Sequence, residues 1–304
     1  MKQKAVVTGG AGFIGSHITD ALIHDGYDVH IIDNLSTGRK ENLNPKAKFY
    51  HKDIRDFTAI APLFKNTAYV FHAAAEARIQ PSIVDPRSSN ESNITGTLNV
   101  LVAARDANVQ KFVYSASSSA YGTQSNLPLR EDMEPNPQSP YAVQKWVGEI
   151  YCKTFHDLYG LPTVSLRYFN VYGPRQLAEG AYATVIGVFM RQRSAGEPMT
   201  VVQDGRVKRR DYTFVSDIVA GNIQALKSKK IGKGEVINLG TGANFSVVEV
   251  AKHIGGAYVF IPKRLGESKA TLADITKAKR LLDWKPRVSF EAGIAELKQL
   301  HKIA

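Results

Sequence analysis

The sequence predicts an α/β architecture: a doubly wound, mostly parallel sheet with helices on both faces, followed by a smaller, mixed α/β lobe. Three observations predict it. Strand-sized apolar runs alternate with helical patterns from residue 5 to about residue 168, a glycine-rich turn (GGAGFIG) joins the first run to the first helical pattern, and an acid, Asp33, closes the second run. Repeated strand-helix alternation is satisfied by parallel strands joined by crossover helices that cover both faces of the sheet. The change of texture after Asn170 divides the chain into a dinucleotide-binding part, 1–170, and a part that mainly binds substrate, 171–304, with segments near 210–240 returning to the first part.

In order, Ala5 to Thr8 reads as a strand, Ser16 to His24 as a helix stopped at Gly26, and Asp28 to Ile32 as the second strand. Val70 to His72 reads as a strand end and Asn93 to Asn108 as a long helix. The strand Lys111 to Ser115 follows. Pro140 suits a first helical turn and opens a helix that runs to Tyr159, where Gly160 and Pro162 stop it; Thr163 to Tyr168 is the next strand. Beyond Gly173 and Pro174 the segments shorten. Helices are expected near 183–195, 217–226 and 246–254, with strands at 199–202, 235–239 and 258–261, the Val236 strand being the one expected to return to the first sheet.

The 304 residues are 43% hydrophobic and 22% charged, a globular composition without a dominant residue type. Apolar runs are too short to cross a bilayer, and the first begins near Met1 without a signal-peptide pattern, so a cytoplasmic location and no membrane partner are expected. The single cysteine, Cys152, excludes an internal disulfide and reads as a small core residue; no metal site is expected. A net charge of +11 favours anionic partners. Nucleic acid is not expected, because the basic residues are dispersed and the clusters at Lys208 to Arg210 and Lys227 to Lys230 lack aromatic stacking platforms.

The glycine-rich turn has separable roles: Gly9 permits the tight turn, Gly12 lets backbone approach a pyrophosphate, and Gly15 lets the helix sit close to the sheet. Amide groups at the first helical turn face the phosphates, and Phe13 and Ile14 belong to this cofactor-binding stretch. Asp33 suits the adenosine ribose hydroxyls and repels a 2′-phosphate, which favours NAD; Arg39 and Lys40 are near enough in sequence to hold such a phosphate. Small residues at Ala73 and Ala74 suit close passage of the cofactor.

Tyr141 and Lys145 lie four apart on one helical face. A cation beside the phenol, together with an oxidised nicotinamide, favours the phenolate and makes tyrosine a usable base near neutral pH. Ser115 to Ser119 form a hydroxyl cluster at a strand end, where ligands bind in doubly wound sheets, and such hydroxyls can bond a sugar alcohol or ketone.

Over essentially its whole length the chain resembles the extended short-chain dehydrogenases/reductases, a Rossmann-type superfamily, and within them the UDP-glucose and UDP-N-acetylglucosamine 4-epimerases. The motifs are TGGAGFIG (8–15), SSSAYG (117–122), YAVQK (141–145), RYFNVYGPR (167–175), RRDYTFVSD (209–217) and NLGTG (238–242). The resemblance implies Ser117 as catalytic hydroxyl, Tyr141 as base and Lys145 as its electrostatic partner. It implies Asp33 and Asn34 at the adenosine ribose, Asp53 and Ile54 at adenine, and Asn93 along the cofactor. Substrate would be held by Ser117, Ser118, Tyr141 and Asn170, with Arg210 and Arg264 on the diphosphate. Lys208 departs from the short polar residue expected there and reads as surface charge. Small Thr271 would admit N-acetylated sugars beside simple hexoses.

The related 4,6-dehydratases follow their catalytic hydroxyl with an Asp-Glu pair, and this chain has Ser118 and Ser119 there. The implied reaction is therefore C4 epimerisation of a UDP-sugar through a 4-keto intermediate, with UDP-glucuronate epimerase or decarboxylase as the alternative. A non-catalytic NAD-binding regulator or scaffold would not need the Ser117, Tyr141 and Lys145 set. The resemblance also implies a homodimer formed through the helices at 93–108 and 140–159.

Overall fold

The computed structural model describes residues 2–263 and 268–303. In chain order its elements are β1 (Lys4–Thr8), α1 (Phe13–His24), β2 (Asp28–Asp33), β3 (Lys48–His51), α2 (Phe57–Ile60), β4 (Thr67–His72), α3 (Ile79–Val84), α4 (Pro86–Asn90), α5 (Gly96–Asp106), β5 (Lys111–Ser117), α6 (Pro140–Tyr159) and β6 (Thr163–Tyr168). The remainder comprises α7 (Val185–Ser194), β7 (Met199–Val202), β8 (Arg209–Arg210), α8 (Val215–Lys227), β9 (Lys233–Leu239), β10 (Phe245–Ser246), α9 (Val247–Ile254), β11 (Tyr258–Ile261), α10 (Thr276–Leu282) and α11 (Phe290–Leu300).

Seven strands form one sheet in the order β3-β2-β1-β4-β5-β6-β9, every pairing parallel. This is the expected doubly wound α/β fold. The pleat sends alternate side chains to opposite faces, and both faces are covered, so the strands read as continuous apolar runs. Ala5 and Val7 pack with Ile18, Leu22, Ile218 and Trp284 on the α1/α8 side; Val6, Phe112 and Tyr114 pack with Leu101, Cys152 and Phe155 on the α5/α6 side. Cys152 is a buried core residue, as its helical setting predicts.

The order reverses between β1 and β4, which opens a crevice above their carboxyl ends. Two pairs of short strands, β11-β7 and β10-β8, and a further apolar cluster around Phe189, Phe214, Val250 and Phe290 come from the chain after β6, while β9 lies at the sheet edge against β6. No helix among the described residues is long and apolar enough to cross a membrane.

Boundaries at α6, β6, β7 and β11 agree with the pattern read from sequence. The stretch from Asn93 differs: a π-turn covers Glu91–Thr95 before α5 begins at Gly96. β3 went unrecognised because its face is half exposed and only Phe49 and Tyr50 carry apolar bulk there.

Helix α6 starts at a clear signal. Ser139 Oγ accepts from the Ala142 amide at 3.3 Å, Pro140 fills the first turn, and Gly160 at φ +68° ends the helix. It lies close on β5 because residue 148 has no side chain: a Cβ there would stand 2.3 Å from the Tyr114 hydroxyl oxygen, which is fully buried. Gly148→Ala should push α6 off the sheet at a cost of about 1–3 kcal/mol, an overpacking penalty. Urea unfolding of the two proteins checks this, and an unchanged midpoint would contradict it.

Candidate active site

One cavity of about 470 Å³ runs along the carboxyl edge of the sheet, from the glycine turn and Asp33 at one end to Arg210 and Thr271 at the other. Its first wall is backbone. Gly9 turns at φ +72° and donates its amide to the Ile32 carbonyl at 2.8 Å, and a Cβ on it would lie 2.6 Å from the Ala74 nitrogen. A Cβ on Gly15 would meet the Gly9 carbonyl oxygen at 2.2 Å, so α1 can start here only against glycine. At Gly12 an added Cβ would meet the Gly9 oxygen alone, at 3.1 Å. This wall offers a bare backbone and a helix N-terminus to the cavity, a cradle shaped for a pyrophosphate. Phe13, Ile14, Ala73 and Ala74 line it as well.

Asp33 is buried and its oxygens accept from the amides of Ala11 (3.0 Å) and Leu35 (2.8 Å); burial nevertheless raises its carboxyl above the usual range. Asn34 donates to Asp53 at 2.8 Å, and Asp53, hydrogen-bonded chiefly by Arg55, falls to about 2. Asp33, Asn34, Asp53 and Ile54 all line this end, whereas Arg39 and Lys40 are exposed and outside the lining. An adenosine with free ribose hydroxyls fits these acceptors. These acceptors and the backbone cradle thus suit NAD.

In the middle, β5 delivers the hydroxyl cluster and α6 delivers Tyr141 and Lys145. Ser117 Oγ accepts from the Ser119 hydroxyl at 2.8 Å and the Ser119 amide at 3.2 Å. Ser118 is buried in the same wall. Burial raises the Tyr141 phenol, while a hydrogen bond with Ser117 and the charge of Arg78 act in the opposite direction. Lys145 is buried, donates to the Ser115 carbonyl at 2.8 Å, and lies 4.9 Å from the centre of the Tyr114 ring. Burial lowers its ammonium to about 8.

At the far end Asn170 donates to the Asp211 carbonyl (2.9 Å) and to Thr271 Oγ1 (3.2 Å), and the Asp211 amide also donates to that hydroxyl at 3.1 Å. Arg210 is held by the carbonyls of Arg209 and Lys269 at 2.9 and 3.3 Å. Buried Asp211 fixes this corner by accepting from Thr241, Gly242 and Ala273.

The residues expected from sequence therefore gather on one cavity, with two exceptions. Asn93 stands behind the wall: its amide nitrogen donates to the Glu76 carbonyl and to Gln144 (3.0 and 2.8 Å), and its oxygen accepts from the Glu76 amide at 2.8 Å, which fixes the segment after β4. Arg264 lies outside the described residues. Lys208 corrects the surface reading: it is 5% exposed, lines the cavity and pairs with Asp204 at 3.2 Å, because the turn at 203–208 folds its stem inward. Sequence reasoning did not find Arg78 or Tyr182. Both stand on irregular segments, where no periodicity marks a side chain as facing a cavity.

Residues 5–240 match the family described as NAD dependent epimerase/dehydratase. A UDP-glucose 4-epimerase of Mycolicibacterium smegmatis is 38% identical over 97% of each chain. Among solved structures, UDP-glucose 4-epimerase of Thermotoga maritima, crystallised with UDP-glucose, superposes with a TM-score of 0.94 at 38% identity over 99% of both chains. A UDP-N-acetylglucosamine 4-epimerase of Methanobrevibacter ruminantium, in complex with UDP-N-acetylmuramic acid, gives 0.92 at 38% identity, again over 99% of both.

The Lys145 environment has a consequence for stability. Its folded-state value near 8 lies below the ordinary 10.5, so the unfolded chain binds more protons between these values and stability rises with pH across that window. Lys145→Met should abolish this rise, read as the difference in denaturant midpoint between about pH 8 and about pH 9.5. Parallel pH dependences in the two proteins would refute it.

Proposed function

The chain belongs to the NAD-dependent epimerase/dehydratase family, and from that premise we propose that it inverts C4 of a UDP-linked hexose or N-acetylhexosamine. NAD is its cofactor; when bound, it supplies reversible hydride acceptance at the sugar carbon. The observation that carries the reading is that Ser117, Tyr141 and Lys145 share one cavity, with ribose acceptors at one end and Arg210 at the other.

Gly9, Gly12 and Gly15 hold the pyrophosphate on backbone, and Asp33 accepts from the ribose hydroxyls. Ser117 holds the oxygen on C4. Tyr141, as phenolate, takes the proton from that oxygen, and the phenol returns it when the ketone is reduced. Arg210 grips the substrate diphosphate. Strong contact with the diphosphate and weak contact with the pyranose allow the 4-keto sugar to turn over and be reduced on its other face. Elimination would need an acid and base beside Ser117, and Ser118 and Ser119 stand there. The exposed side chains of Val143, Ile150 and Leu158 on α6 suit pairing with a second copy of the chain.

Purified protein incubated separately with UDP-glucose, UDP-N-acetylglucosamine and UDP-glucuronate, without added reductant, should convert one or both of the first two to their C4 epimers. Tyr141→Phe should lower kcat by about 10²–10⁴-fold, the usual contribution of a positioned base. Retained turnover would remove Tyr141 from the role, and exclusive conversion of the uronate would overturn the substrate reading.

Thr271 is buried with its hydroxyl engaged, so it presents a small wall to the sugar. Thr271→Tyr should lower kcat/KM for the N-acetylated sugar by more than tenfold relative to the simple hexose, about 1.4 kcal/mol of discrimination. An unchanged ratio would sink the gate.

A further inference from the structure

Arg78 is a feature of the cavity that the epimerase reading does not use. It follows the small stretch after β4 and stands at φ +121°, where a residue with a Cβ pays a conformational cost. It directly precedes α3, whose Ser82 Oγ accepts the Tyr141 backbone amide at 3.0 Å, so the Arg78 segment is tied to the start of α6. Arg78 and Tyr141 line the same cavity.

The guanidinium has little else to neutralise it. Its Nε donates to the Tyr182 carbonyl at 3.0 Å, and among the described residues no other hydrogen bond and no ion pair is seen for it. The cavity carboxylates are committed elsewhere. Asp33 and Asp53 lie at the ribose end, and Glu76 accepts from Ser88 and Ser92, each at 2.9 Å. Lys145, on the base's own helix, is turned to the Ser115 carbonyl and the Tyr114 ring. Around Tyr141 stand Ser117 and the buried Tyr114 from β5, Ser82 from α3, Lys145 from α6 and Arg78. Burial depresses Arg78 and elevates Tyr141, and each charge acts to offset the burial of the other.

We propose that Arg78 is a second cation of the catalytic centre, an electrostatic partner that stabilises the Tyr141 phenolate in which the base takes up the sugar proton. This rests on the assignment of Tyr141 as base. The proton passes from the C4 hydroxyl to the phenolate oxygen and back again when the ketone is reduced; Arg78 stays charged throughout, and no proton is consumed over the cycle.

The test compares the wild type, Arg78→Gln and Arg78→Lys, each with and without Tyr141→Phe, after circular dichroism has shown that they fold. Ultraviolet titration of the NAD-loaded proteins, taken as the difference made by Tyr141→Phe, isolates the ionisation of this one tyrosine. In Arg78→Gln it should move up by about one pH unit or more, the effect of removing a nearby opposite charge, and Arg78→Lys should restore much of it. Because the phenolate is the active form, kcat/KM rises with pH through this ionisation. The rise should move up equally in Arg78→Gln, so that activity is lost about tenfold below it and regained above it.

An unmoved titration overturns the proposal. A raised KM with an unmoved pH profile would make Arg78 a substrate contact, and an equal loss at every pH would make it a holder of the Tyr182 segment; both outcomes also overturn it. A wild type that converts no UDP-sugar counts against the epimerase reading alone, since the titration still decides whether Arg78 stabilises the phenolate.

Discussion

The close approach of the Pro140–Tyr159 helix to the fifth strand is the contact on which the geometry of the cavity's centre depends. With only hydrogen at Gly148, the helix settles against the buried Tyr114 hydroxyl, and the Lys145 ammonium reaches the Ser115 carbonyl at 2.8 Å. One turn earlier, Tyr141 comes level with Ser117 at the end of the same strand. A helix held farther out by one methyl group would carry the phenol and the ammonium away from the hydroxyl cluster together. Packing at a position off the cavity thus sets the alignment of three side chains that line it.

That arrangement removes charged and ionisable groups from water, and around Lys145 and Arg78 the described residues answer with short-range polar contacts rather than with carboxylates. Lys145 has a carbonyl and an aromatic face, and Arg78 has a carbonyl. Away from the cavity the chain does the opposite: buried Arg167 is paired with Glu149 through two hydrogen bonds of 2.8 and 2.7 Å. The contrast separates a structural ion pair from buried cations on the cavity that are held by neutral groups.

Local signals made much of this legible in the sequence. The glycine turn, the acid closing the second strand and the four-residue spacing of Tyr141 and Lys145 all act over one or two turns of chain, and the structure puts these residues on one cavity. Periodicity located α6 and β6 with their limits because capping residues and turn formers bound both. It missed β3, whose sparse apolar side chains give no alternation, and it ran through the π-turn at 91–95, since a widened turn keeps a helical pattern. Asn93 was legible as an important polar residue but not as one that serves the backbone of Glu76 and not the cavity.

By itself the sequence determined the fold class, the glycine-rich turn and the four-residue spacing that puts Tyr141 and Lys145 on one helical face, because each follows from interactions between residues near in the chain. Only the tertiary structure decided which charges face the reacting centre. Lys208 is turned inward by the 203–208 turn, and Arg78 is brought onto the same cavity as Tyr141, 63 positions away in sequence, its segment tied to α6 through Ser82. Solvation and pairing of a charge depend on everything that surrounds it in space, and residue spacing along the chain carries no record of that.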